Sequence, residues 1–164
     1  MILTASIFMS NSRVASAYVL NGYKLSAPQN IRYWISPTMV SNYAEVFMKM
    51  WQNCDEIRFE ATASTDSTDY NVYMTAIENL DYGSYATTYH NNNNDHRIIY
   101  YAPFFEPATT WTMKYEIIVH EVGHCLGLAH CQPINNSISV MRETGFNNKA
   151  YPLSDDILGI SYLY

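Results

Sequence analysis

Between residues 120 and 130 the chain reads His-Glu-Val-Gly-His-Cys-Leu-Gly-Leu-Ala-His, and this stretch constrains the fold more than any other part of the sequence. Helical positions four apart share a face, so His120 and His124 can aim their rings at a single point. Zinc takes imidazole nitrogens at about 2.0–2.1 Å and prefers a tetrahedron, and a third ligand from the same helical face would crowd the first two. Gly127 resolves that conflict. Glycine accepts the left-handed backbone that ends a helix and turns the chain, so His130 can return to the same point. Three neutral imidazoles leave a fourth position for water, which is the arrangement of a catalytic rather than a structural zinc site. Zinc lowers the pKa of such a water to about 7 and polarises a carbonyl. Glu121 follows the first ligand without joining it, placed to act as general base and then general acid.

The histidine pair with its glutamate matches the zinc-protease helix motif, and Gly127 and His130 extend it to the metzincin motif. The chain resembles a metzincin metallopeptidase and, within that clan, a small bacterial-type matrixin (matrix metalloproteinase-like) catalytic domain. Ser139-Val140-Met141 lies where metzincins carry a methionine in a tight turn beneath the metal. Two residues later stands Glu143, not the tyrosine usual in the astacin and serralysin branches. The segment from Leu153 to Tyr164 is similar to the last helix of matrixins. Leu20-Asn21-Gly22-Tyr23-Lys24 and Ile31-Arg32-Tyr33-Trp34-Ile35 resemble their entry segment and first strand, so the similarity spans about Tyr18 to Tyr164. Two features depart from the pattern: Cys131 replaces the usual serine or threonine after the third histidine, and the Gly-Asp-x-His signature of second-zinc and calcium loops is missing.

The resemblance implies one catalytic zinc on His120, His124 and His130, with Met141 packed under the ligands. It implies a twisted five-stranded mixed sheet above a cleft with the zinc at its floor, flanked by an active-site helix and a C-terminal helix. Substrate then lies extended along an edge strand at Tyr85–Tyr89, so Tyr85 and Tyr89 are candidate substrate-binding residues. Glu116 falls at the position bounding the main specificity pocket, where it would shorten the pocket or favour a basic tip on the bound side chain. Its other reading is a charge near a helix start. The segment 145–151, with Phe146 and Tyr151, would wall that pocket. A calcium or second zinc around His90, Asn91 to Asn94, Asp95 and His96 is open, but an asparagine-rich run reads first as a polar surface loop.

At 164 residues the chain suits one domain that buries roughly two-thirds of its unfolded surface. Apolar residues make up 48% and charged residues 15%, which is globular rather than disordered composition. A net charge of −6 without a basic run argues against nucleic acid as partner. No stretch approaches the ~20 apolar residues that span a bilayer. Ile2 to Met9 is mildly apolar and Ala15-Ser16-Ala17 resembles a cleavage site, yet a basic start and a strong apolar core are lacking. Residues 1–17 are therefore read as an extension, a pro-segment remnant or weak signal-like stretch, before a catalytic domain over 18–164. Cysteines number 3, so at least one is unpaired or pairs between chains; Cys125 and Cys131 either bridge across the ligand loop or stay reduced.

Along the chain, Ile31–Ile35 reads as a strand rich in β-branched and aromatic residues. Val40, Tyr43, Ala44, Phe47, Met50 and Trp51 form one apolar stripe on a helix from Met39 to Asn53. Glu56–Ala61, Asn71–Ala76, Tyr85–Tyr89 and Arg97–Tyr101 read as further strands, with a polar loop at 63–69. Pro103 and Pro107 punctuate a loop before the metal helix, which is expected to start near Thr112 as N-cap, and Ser154 is expected to cap the last helix. Strands before a central helix, then a loop-rich half and a final helix, give an α+β domain. The functional expectation is a secreted, monomeric zinc endopeptidase acting on protein or peptide substrates. A zinc-bound binding or adhesion module without turnover is the alternative from another class, and an exopeptidase the third.

Overall fold

The computed structural model describes residues 17–39, 41–62, 70–80 and 83–164. The polar loop expected at 63–69, Val40 of the expected stripe and nearly all of the expected N-terminal extension lie outside the described residues. Five strands form one sheet: β1 (Ile31–Ile35), β2 (Phe59–Ala61), β3 (Val72–Ile77), β4 (Ala86–Asn92) and β5 (Asp95–Tyr101). Their order is β2-β1-β3-β5-β4, the first four parallel and β4 antiparallel to β5. This is the α+β mixed sheet expected, with β4 at its edge. Alternation decides which face is buried: Ile31 and Tyr33 of β1, Val72 and Met74 of β3, and Ile98 and Tyr100 of β5 all lie in the core.

Helices cover that face. α1 (Ser41–Met48) runs on into a 3-10 segment at Lys49–Asn53, so the long helix expected over Met39 to Asn53 tightens in its last turn. Ala44, Met48 and Trp51 carry its buried contacts, whereas Tyr43 is exposed and meets the Trp111 ring at 5.3 Å in a tilted contact. Burying each large apolar side chain contributes roughly 1.5–3 kcal/mol. Trp51 also has a polar tip to satisfy, and its Nε1 donates to the Val119 carbonyl at 2.9 Å. α2 (Ala102–Phe105) is a single turn in the segment read as loop, and α3 (Trp111–Cys125) crosses beneath the sheet. Thr110, not Thr112, is the N-cap of α3, accepting from the Met113 N–H at 3.4 Å. α4 (Ser154–Leu163) closes the domain.

Several element ends differ from expectation, each for a reason outside local sequence. The asparagine-rich run is mostly strand: β4 and β5 pair from Ala86↔Tyr100 to Asn92↔Asp95, leaving a tight turn at Asn93 and Asn94. Only three residues of the expected Glu56–Ala61 strand pair with β1. Ser154 is not the cap of α4; Leu153 holds that position, and its N–H is satisfied by Asp156 Oδ2 at 2.8 Å. All three cysteines are reduced and buried, so Cys125 and Cys131 do not bridge.

Candidate active site and metal centre

α3 carries His120 and His124 on one face and ends at Gly127, whose φ of +102° is the left-handed turn that returns His130. A side chain at Gly127 would also collide with the Tyr23 carbonyl, 2.5 Å from an added Cβ. The ligating atoms of His120, His124 and His130 all lie within 4.8 Å of one another. Two backbone carbonyls fix the first two rings. His120 Nδ1 donates to Val140 O at 3.0 Å, and His124 Nδ1 to Leu128 O at 2.8 Å. A carbonyl only accepts, so each Nδ1 holds the proton and each Nε2 presents a lone pair. Those Nε2 atoms are 3.1 Å apart with no proton between them. Two tetrahedral zinc ligands would sit roughly 3.3 Å apart, and facing lone pairs at this separation call for a cation. Burial lowers the pKa of His120 and of His124 to about 4, so both are neutral and ready to ligate near pH 7. The donor set fits zinc.

The turn beneath the ligands is pinned by the last helix. Asp156 is buried, and its Oδ1 accepts from Ser139 Oγ while Oδ2 accepts from the Val140 N–H at 2.8 Å. Ser139 Oγ in turn accepts from the Met141 N–H at 2.9 Å. The chain from Asp156 through Val140 thus ends on the His120 ring. Met141 is buried under α3, and Gly123 is what lets it approach: an added Cβ there would lie 2.3 Å from Met141 Sδ and 2.8 Å from the Trp51 ring. Gly123→Ala should therefore cost about 1–3 kcal/mol by overpacking, seen as a lower midpoint in urea. Met141→Leu, which nearly conserves volume, should cost below about 1.5 kcal/mol and keep the metal. A Gly123→Ala protein as stable as wild type would mean that the methionine turn does not brace the ligands.

Glu121 is 8% exposed, and burial raises its pKa, countered in part by the nearby His124 and by the Thr88 hydrogen bond. Thr88 Oγ1 lies 2.6 Å from Glu121 Oε2 and 3.1 Å from the Glu121 carbonyl. Thr88 sits on β4 and carried no signal in the sequence. Asn21, read in the sequence only as part of the entry segment, donates its Nδ2 to the His124 carbonyl at 2.8 Å and to Leu128 O at 3.2 Å, strapping the ligand turn from 103 residues away along the chain.

A cavity of about 390 Å³ opens beside the histidines, with His120, Glu121 and His130 in its wall. Tyr85, Glu116 and Phe146 also line it; Tyr85 and Phe146 meet edge to face at 5.6 Å. Glu116 is 2% exposed rather than a surface charge, and its carboxylate accepts from the Asn147 N–H. Tyr89 and Tyr151 stand apart from this cavity: Tyr89 is 46% exposed with its hydroxyl 3.0 Å from that of Tyr101, and Tyr151 is 45% exposed. His90 and His96 face each other Nδ1 to Nδ1 at 2.9 Å. Among the described residues, only His120, His124 and His130 gather three ligand atoms.

The matrixin family model matches residues 22–164. The chain belongs to the matrixin family. Matrixins are zinc-dependent peptidases, in keeping with the three-histidine group. Among solved structures, this matrixin is similar to a chain of the ECX AB5 holotoxin in its GM1-bound form, with 17% identity, TM-score 0.61, and 90% of this chain and 84% of that one covered. It is also similar to myroilysin, with 16% identity, TM-score 0.56, and 92% and 86% covered. At such identities the likeness is one of fold. No match was found among curated proteins.

Proposed function

We propose that this matrixin is a secreted, monomeric zinc endopeptidase that cuts internal bonds of proteins or peptides. The observation that carries the reading is the meeting of His120, His124 and His130 with buried Glu121 in the wall of one open cavity. Secretion rests on the family. Among the described residues no helix is long and apolar enough to cross a membrane.

His120, His124 and His130 would hold the zinc. Bound there, zinc supplies a water acidified to a pKa of about 7 and a Lewis acid for the scissile carbonyl. Glu121 takes the proton of the attacking water and returns it to the leaving amine. Its desolvated carboxylate is a stronger base than one in water, since burial disfavours the charged form. Thr88 holds the carboxylate in place, its Oγ1 donating to Oε2. β4 offers an edge along which an extended peptide adds main-chain hydrogen bonds. Tyr85 opens toward the cavity, whereas Tyr89 and Tyr151 would touch only more distant substrate residues.

Thr88→Val keeps the shape of the strand residue and removes the hydroxyl. Hydrogen bonds to charged groups are worth enough to lower kcat roughly tenfold or more, with KM little changed and recovery in Thr88→Ser. Steady-state kinetics on a quenched peptide decides it; an unchanged kcat in Thr88→Val would show that Glu121 needs no such partner. The activity itself is tested by digesting a mixed peptide library with the purified protein and identifying products by mass spectrometry. Internal cuts support the proposal. Products trimmed only from chain ends indicate an exopeptidase, and a zinc-loaded protein that cuts nothing indicates a binding module.

A further inference from the structure

We propose that Glu116 makes the cavity beside the three histidines a receptor for a basic side chain, so that the enzyme favours lysine or arginine directly flanking the scissile bond. The inference rests on the peptidase reading and adds the substrate class. The walls of the cavity are largely apolar, built by Tyr85, Ile117, Val140 and Phe146. Against them lies Glu116, 2% exposed, with both oxygens sharing one donor, the Asn147 N–H, at 2.9 and 3.2 Å.

A carboxylate has room for about four hydrogen bonds, and a charge removed from water is costly unless paired. Among the described residues no cation lies within ion-pairing distance of Glu116. The basic residue of the cavity wall, Arg142, turns away from Glu116: its Nη2 donates to the Asn136 carbonyl, and its buried Nε has no partner among the described residues. Glu121 and Glu143 also line the cavity and bring its carboxylates to three. An apolar channel with a carboxylate in its wall matches a lysine or arginine, whose methylene stem packs on apolar surface while its head seeks an anion. A norleucine side chain has the same stem and would strand the carboxylate. A glutamate side chain would add a fourth negative charge.

Glu116 also ties the 144–147 loop to α3 through Asn147, and a purely bracing role must be told apart from recognition. Glutamine does so, because its amide oxygen still accepts the Asn147 N–H while the charge is gone. Blocked hexapeptides carrying lysine, arginine, norleucine or glutamate at either residue flanking the intended scissile bond are titrated into the zinc-loaded Glu121→Ala protein by calorimetry. The same peptides are given to the wild type for turnover. At one of the two positions, lysine and arginine should bind and turn over roughly 10–100-fold better than norleucine, and Glu116→Gln should erase that advantage.

Equal or tighter binding of norleucine at both positions overturns the proposal, without reference to any variant of Glu116. So does a lysine preference that Glu116→Gln leaves intact. Should the wild type cut none of these peptides, the peptidase reading fails, while the calorimetric comparison still decides the charge of the cavity.

Discussion

Glu121→Ala is expected to bind zinc and fold as the wild type does while losing peptide hydrolysis by about 10²–10⁴-fold, the usual worth of general acid–base help. The upper end is favoured because one carboxylate serves both proton transfers. It lies in the cavity wall beside two of the histidines, and burial has already raised its proton affinity. Thr88 would be left with its hydroxyl near the Glu121 carbonyl, so the strand–helix contact survives the substitution. Elemental analysis establishes the metal content, circular dichroism the fold, and a quenched peptide the rate. A variant within roughly tenfold of wild type would require another base, because catalysis by a positioned side chain is worth more than that.

Loss of a ligand has the other large effect, and His130→Ala is the cleanest form of it. His120 and His124 also donate to Val140 and Leu128, so replacing either disturbs the methionine turn or the ligand turn as well as the metal. His130 is exposed and follows Gly127 in a segment that needs no ring to hold its path; Ala129 N–H already donates to Val19 O at 2.8 Å. His130→Ala should therefore fold, bind zinc far more weakly and cut no peptide. Metal bound only to the folded state at a thousand times its Kd adds about 4 kcal/mol of stability. Wild type should thus lose several degrees of Tm on chelation, and His130→Ala should show little further loss. Full zinc retention by the variant would mean that the third ligand lies elsewhere.

What could be seen in the sequence divides along the distance over which each feature is determined. The spacing of His120, His124 and His130 is a local quantity, set by one helix and one left-handed glycine, and the structure brings their rings together. β1 was equally plain, since alternation of Ile31 and Tyr33 against Arg32 is enough to define its faces. The far end of the β4–β5 hairpin was not. Asn91 and Asn92 have poor strand propensity, yet pairing with β5 holds them in register, so tertiary contact overrides local preference. The cap of α4 was misplaced for a related reason: Asp156, committed to Ser139 and Val140, also reaches the Leu153 N–H, and Ser154 is not needed there. Thr88 and Asn21 stayed hidden because their partners lie 33 and 103 residues away. No periodicity encodes such a meeting. The need for glycine at position 123 is set by the position of Met141, which no local pattern encodes.

The zinc dependence of cleavage tests the central claim most directly. The protein is stripped with a chelator, titrated back with zinc, and assayed on a peptide library by mass spectrometry at each step. Internal cleavage should vanish on stripping and return in full at one zinc per chain, and His130→Ala should not recover at that stoichiometry. Cleavage that persists after complete removal of the metal, or a fully zinc-loaded chain that cuts no peptide, would contradict the assignment of His120, His124 and His130 as the metal site of a working peptidase.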